Sequence, residues 1–249
     1  MKTITIESLK ENYSTKHLRV SHLEEFNKCQ YLHKYWEVKD PTNKNLIFWT
    51  MVHNVCCTYM IDQKKWLELR NLYSQVDYES YDMIWKYLAI LNQQRDNYPT
   101  IWIEFKWLLS VEFWDTLFII EWTMDLICKV SDMYIIADLK TSKVERTDEI
   151  YEQKIQKYLY SIIFWEYFWY EKLLSFDYLI LTKHKKPRLQ IKSYKPDKQK
   201  LSEILKTILQ NYKESLQYNI RETNKGNHCF SCPMKKLWCP SWSNNASEF

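Results

Sequence analysis

The stretch from Thr116 to Lys143, TLFIIEWTMDLICKVSDMYIIADLKTSK, holds the densest chemistry in the chain. Asp125 closes one apolar run, and Asp138 and Lys140 close the next. Alternation along a strand puts residues 138 and 140 on one face. Two adjacent strands would then converge two carboxylates and an ammonium on one point. Carboxylate oxygens suit Mg²⁺ or Mn²⁺. A lysine beside such an ion can hold or deprotonate an attacking water, or offset charge developing on a phosphate. Read by itself, Asp138-Leu139-Lys140 is equally a surface ion pair of little energetic worth. His53, in the run FWTMVH, offers a further ligand from a helix, where a lone histidine more often serves packing. Gln156 and Tyr160, four apart, share one helical face, as amphipathic packing would also require.

The seven cysteines fall into two groups. Cys56, Cys57 and Cys128 lie in apolar stretches and read as buried structural thiols. Cys229, Cys232 and Cys239 form C-x2-C-x6-C in a polar, proline-marked segment and lack one ligand for a tetrahedral site. Cys29 is the natural fourth, 200 residues before Cys229. Thiolates of this kind suit structural zinc or an iron–sulfur cluster, and spacing does not decide between them.

These residues need elements to position them. Residues 1–20 read as an irregular arm, and Ser21 with Glu24 reads as a capping box opening the first helix. Helical spacing covers 45–73 and 80–95, and β-rich runs at 101–113, 116–129 and 133–139 read as a meander. Trp114-Asp115 and Ser131-Asp132 are its turns. A long amphipathic helix over 148–172 follows, then strands at 177–183 and 188–194 around a basic turn. Lys183, Lys185, Lys186 and Arg188 could hold DNA there, or form a solvated hairpin tip. A helix over 197–217, whose scattered charges read as a solvated face, leads into the cysteine segment. The expected fold class is α/β, a single domain over 21–240 with a tail at 241–249.

Taken in order, these motifs resemble the RecB-type branch of the PD-(D/E)XK nuclease superfamily. The variety in question carries a four-cysteine iron–sulfur cluster, as in AddB-type helicase-nucleases and CRISPR-associated four-cysteine exonucleases. The resemblance rests on S-x-L-x-x-F-x-x-C at Ser21, Leu23, Phe26 and Cys29, on His53, Asp125, Asp138-Leu139-Lys140 with Thr141, the Q-x-x-x-Y pair Gln156 and Tyr160, and the C-terminal cysteines. Glu104 falls where the family carries an acidic residue. The six-residue gap before Cys239 is one longer than expected in the CRISPR-associated members.

The resemblance implies a restriction-endonuclease-like core, a central mixed β-sheet flanked by helices. It implies that His53, Asp125, Asp138 and the Leu139 carbonyl ligate Mg²⁺ or Mn²⁺, and that Lys140 activates water. Gln156 and Tyr160 would line the site and contact DNA. Cys29, Cys229, Cys232 and Cys239 would hold a [4Fe–4S] cluster, or structural Zn²⁺, joining the N-terminal helices to the C-terminal segment. The implied activity is phosphodiester hydrolysis on single-stranded or frayed duplex DNA ends, in a phage, repair or CRISPR-adaptation context, with a helicase or integrase-type partner. A non-catalytic DNA-binding or assembly subunit and a zinc-stapled structural protein are the alternatives.

Composition bounds the same picture. With 46% hydrophobic and 27% charged residues the chain is globular rather than disordered. No apolar run reaches the roughly 20 residues of a membrane span, and no signal-peptide core is evident, so a cytoplasmic protein is expected. The net charge of +4 permits a polyanionic partner without demanding one.

One entry of the composition is abnormal: a single glycine, Gly226, against 12 tryptophans. Average usage would give roughly 17 glycines. Trp49 and Trp122 stand where the family's G-x-x-x-H and G-x-x-D motifs carry glycine, and Trp165 and Trp169 stand where small or turn-forming residues are usual. Trp114 sits at a hairpin tip suited to glycine. A gene reading UGA as glycine, translated with UGA as tryptophan, accounts for both anomalies. UGG codons at positions 49 and 122 would refute that explanation.

Overall fold

The computed structural model describes residues 2–8, 14–29, 44–62, 78–142, 145, 147–152, 154–168, 172–183, 186–218 and 229. The chain divides into two compact units, one comprising 1–39, 108–122 and 199–249, the other 40–107 and 123–198. The strands order as β1 (Lys2–Ser8), β3 (Thr100–Trp114), β4 (Thr116–Val130), β5 (Met133–Ser142), β6 (Leu173–Thr182) and β7 (Leu189–Tyr194), while β2 (Ser14–Arg19) pairs with β4. The expected central mixed sheet flanked by helices is therefore present.

In the unit that contains the termini, β1 runs parallel to the outer half of β3, from Lys2↔Leu109 to Ser8↔Trp114, and β2 runs parallel to β4 from Ser14↔Thr116 to Arg19↔Glu121. The irregular arm expected for residues 1–20 is thus replaced by two strands. Their partners lie about a hundred residues away in sequence, so nothing local announces the pairing, although Thr3-Ile4-Thr5-Ile6 is a β-branched run that favours it. Helix α1 (Val20–Lys28) follows β2 directly, which places Ser21 inside the first turn rather than at its cap. Helix α6 (Lys198–Tyr218) buries Leu201, Leu205, Ile208, Leu209 and Tyr212 at three- and four-residue spacing. It is amphipathic: the charges form a solvated face, with Glu203 and Lys206 exposed, opposite this buried stripe. The Tyr212 ring meets Phe26 edge-on at 5.2 Å and Phe118 at 6.2 Å.

In the other unit, helices α2 (Lys44–Ile61) and α3 (Tyr78–Asn92) supply Val52, Val55, Cys56, Tyr87, Leu88 and Leu91 to a core shared with Leu126, Cys128, Ala137, Leu179 and Leu181. Fully burying a single aliphatic side chain of this kind contributes roughly 1.5–3 kcal/mol. Residues 63–73 of the helix expected over 45–73 lie outside the described residues. The meander arises as expected: β4 and β5 are antiparallel from Val130↔Met133 to Leu126↔Ala137. Strand β5 then runs parallel to β6, and β7 returns antiparallel to β6.

The helix expected over 148–172 is instead two, α4 (Asp148–Glu152) and α5 (Gln156–Phe168), and β6 begins at Leu173. The break has a chemical cause. The buried Lys157 donates through Nζ to the carbonyl of Tyr151 at 2.6 Å and also to that of Glu152. The Tyr151 carbonyl also accepts the Lys154 N–H at 3.3 Å, so the helical ladder tightens and ends there with the lysine ammonium added to both carbonyls. Gln156 consequently opens a new helix.

Among the described residues, three non-glycine residues have left-handed backbones: Glu104 at φ 47°, Trp114 at 57° and Ser131 at 55°. Trp122 is buried within β4, and the Trp165 ring carries the Lys198 ammonium 4.1 Å from its centroid. The Trp49 side chain and all of Trp169 lie outside the described residues.

Candidate active site

Pairing between β4 and β5 stops at Leu126↔Ala137, and the next residues along are Asp125 and Asp138. Where the ladder would continue, the Leu139 backbone N–H donates to Asp125 Oδ2 at 2.8 Å. The carboxylate thus takes the place of a strand carbonyl, and β4 runs on beyond Asp125 to Val130 rather than ending there. Asp138 is almost fully enclosed, with 1% of its side chain exposed. Lys140 Nζ lies 2.6 Å from its Oδ2, and Gln156 Nε2 donates to its Oδ1 at 2.8 Å. The break between α4 and α5 is what brings Gln156 to that position. One turn on, Tyr160 donates its hydroxyl to the Thr123 carbonyl at 2.9 Å, tying α5 to β4 two residues before Asp125.

From the helical side, His53 Nε2 lies 3.4 Å from Asp125 Oδ1 and 2.9 Å from Glu104 Oε1. Glu104 reaches it from β3 at a left-handed backbone position, which costs a non-glycine residue on the order of 1 kcal/mol. The Cys57 thiol, one helical turn after His53, sits 3.6 Å from the same nitrogen. Thr50, His53, Leu139, Lys140 and Thr141 line an open cleft of about 370 Å³.

Electrostatics separate the two aspartates. Burial works against ionised Asp125, but the His53 charge and contact, with Lys140 and the Leu139 N–H, hold its carboxyl below the usual range. Burial pushes Asp138 up to about 6; Lys140 opposes the rise and the Asp125 charge adds to it. For His53, burial disfavours the cation, yet Asp125 and the Cys57 and Glu104 contacts raise its pKa well above the ordinary imidazole value. Lys140 is likewise raised, desolvation being outweighed by Asp138 and Asp125. Burial pushes the Cys57 thiol up to about 11. Two neighbouring carboxylates driven apart in this way are a recurrent feature of hydrolytic sites.

Of the residues singled out from sequence, His53 and Asp125 therefore meet, as do Asp138, Lys140 and Gln156, with the Leu139 N–H linking the two aspartates. Glu104, the less secure match, touches His53 directly. Cys57 was read only as a core thiol; its four-residue spacing from His53 was the available signal. Arg188, from the basic turn, is exposed and lies 3.4 Å from Glu145. Cys29 is buried just after α1 and Cys229 is half-buried. Cys232 and Cys239 lie outside the described residues.

Asp138 and Lys140 lie within β5, which runs on to Ser142 rather than ending at 139 as expected, so the motif sits inside the sheet of a mixed α/β fold. A sequence model of the PD-(D/E)XK nuclease superfamily matches residues 58–240, nearly three quarters of the chain, and the chain belongs to that superfamily. The match begins after Cys29 and His53. No match is found among curated proteins. Among solved structures, a protein from Eubacterium rectale provisionally described as an exonuclease superposes with a TM-score of 0.53 at 12% identity, covering 92% of this chain and 88% of the other. The structure of SSO0001 gives a TM-score of 0.49 at 14% identity, covering 94% and 88%. Among the described residues, no helix is long and apolar enough to cross a membrane.

Proposed function

We propose that this protein is a divalent-metal-dependent deoxyribonuclease of the RecB-type branch, acting as an exonuclease on single-stranded DNA or frayed duplex ends. The observation that carries the reading is the meeting of Asp125 and Asp138 where the β4–β5 ladder stops, with Lys140 on Asp138 and His53 on Asp125. The donor set fits a hard cation: two carboxylates, an imidazole and the nearby Leu139 carbonyl. Burial, more than the neighbouring Asp125 charge, raises the Asp138 carboxyl against Lys140, and a divalent ion bound there would favour its ionised form.

Mg²⁺ or Mn²⁺ held by His53, Asp125, Asp138 and Leu139 would supply Lewis-acid stabilisation of the scissile phosphate, worth several kcal/mol. The protein's own residues do the rest. Lys140, anchored on Asp138, orients the attacking water and offers positive charge to the phosphate oxygens as negative charge builds on them. Gln156 fixes the Asp138 carboxylate, and Tyr160 fixes the strand bearing Asp125. Both act by positioning these groups, while the exposed Arg188 is available to a DNA backbone.

Cys29, Cys229, Cys232 and Cys239 are proposed to hold a [4Fe–4S] cluster, with structural zinc as the alternative, closing a nuclease domain over 21–240. The setting is a cytoplasmic phage, repair or CRISPR-adaptation system, with a helicase or integrase-type partner. Anaerobically purified protein should be brown and should shorten linear, end-labelled single strands while sparing circular ones. A colourless zinc protein contradicts the cluster. Equal cleavage of circular strands contradicts the exonuclease mode.

A further inference from the structure

His53 and Cys57 are four apart on α2 and so share one helical face. Their ligand atoms, with a Glu104 carboxylate oxygen, all lie within 4.8 Å of one another. The sulfur-to-nitrogen separation is 3.6 Å. Zinc bonded tetrahedrally to one thiolate and one imidazole, at about 2.3 and 2.0–2.1 Å, needs those atoms roughly 3.5 Å apart. Glu104 Oε1 lies 2.9 Å from His53 Nε2, and Asp125 Oδ1 approaches the same nitrogen at 3.4 Å. Three donors of mixed softness therefore lie close enough to share an ion, with Asp125 beside the imidazole they have in common.

We infer that His53, Cys57 and Glu104 form a soft-metal clamp that captures Zn²⁺ and thereby withdraws His53 from the catalytic ion. The inference rests on the nuclease reading only for its consequence, since His53 and Asp125 are shared. Its chemistry is ligand preference. Mg²⁺ and Mn²⁺ favour oxygen and gain little from sulfur, whereas Zn²⁺ takes imidazole and thiolate together and ranks above Mn²⁺ for such sites. On capture a zinc–sulfur bond forms and the thiol proton passes to solvent, with no change of oxidation state. Glu104 already contacts His53 at 2.9 Å, so the third ligand stands beside the imidazole before any ion arrives. Zinc would act here as an inhibitor, and Cys57 as the residue that makes the site sensitive to it.

The full-length chain, purified anaerobically and freed of loosely held metal, would be titrated with Co²⁺ as an optical substitute for Zn²⁺. The wild type should show a thiolate-to-cobalt band that Zn²⁺ removes and a hundredfold excess of Mg²⁺ does not. Cys57→Ser should lack the component belonging to one thiolate, whatever the four remote cysteines contribute to both proteins; Cys57→Ala serves if serine perturbs the buried position. In parallel, Zn²⁺ should inhibit Mn²⁺-supported degradation of labelled single-stranded DNA. Cys57→Ser should need at least tenfold more Zn²⁺ for equal inhibition while matching the wild type without zinc. Identical cobalt spectra, or identical zinc sensitivity, for wild type and Cys57→Ser would overturn the inference. Absent nuclease activity with the Cys57-dependent band retained would remove the functional reading and leave the clamp standing.

Discussion

Trp114 ends β3 with φ 57°, in the left-handed region. That conformation costs an ordinary L-residue about 1–2 kcal/mol and costs glycine nothing. The ring recovers some of this: it stacks on Phe113 with centroids 5.3 Å apart, and the Lys213 ammonium lies 4.6 Å above it. Such contacts are worth about 0.5–1 kcal/mol each at a partly exposed site. Replacing Trp114 by glycine or by alanine removes both contacts equally, so comparing the two replacements isolates the backbone. Alanine keeps the strain. Glycine sheds it but gains about 0.4–1 kcal/mol of unfolded-state entropy. Trp114→Gly should therefore be more stable than Trp114→Ala by about 1 kcal/mol, or roughly 2–4 °C in Tm for a chain of this size. That reverses the usual order of the two residues in extended structure. Urea unfolding of both variants measures the difference. An alanine variant as stable as the glycine one would refute the strain argument, and with it the structural support for glycine as the original residue at this turn.

Two other perturbations test how the site is held. Lys157→Met keeps the apolar stem but removes the ammonium from the Tyr151 and Glu152 carbonyls, the former keeping its Lys154 N–H, and from its place 4.4 Å from the Tyr194 ring. It should cost about 2–4 kcal/mol in denaturant unfolding, and a loss below about 0.5 kcal/mol would mean the helix break has another cause. Gln156→Ala releases Asp138 Oδ1 and should weaken Mn²⁺ binding, read by electron paramagnetic resonance, by about 10–100-fold; unchanged affinity would contradict the positioning role.

What the sequence made legible follows from where each signal resides. The β4–β5 meander was readable because its alternation and its Ser131-Asp132 turn are local, and Asp125, Asp138 and Lys140 came with it. Strands β1 and β2 were missed because parallel pairing with β3 and β4 is a long-range event that leaves only a faint β-branched trace at Thr3–Ile6. The break at the start of α5 was missed because it contains neither proline nor glycine; a side-chain ammonium reaching back to two carbonyls has no sequence signature. Cys57 was read as a core thiol because its neighbours are apolar, and it is indeed buried. Its proposed ligand character depends on Glu104, which approaches from β3, 47 residues on in sequence, so nothing local reveals it.

The most direct test of the account is the rate at which the purified chain degrades end-labelled single-stranded DNA in Mn²⁺, compared with Lys140→Ala under the same salt and metal. Lys140 contacts Asp138 and would face the scissile phosphate, so its removal should lower the rate by roughly 10²–10⁴-fold while DNA binding persists. Degradation by Lys140→Ala within a few-fold of wild type would contradict the assignment of this part of β5 as the active site.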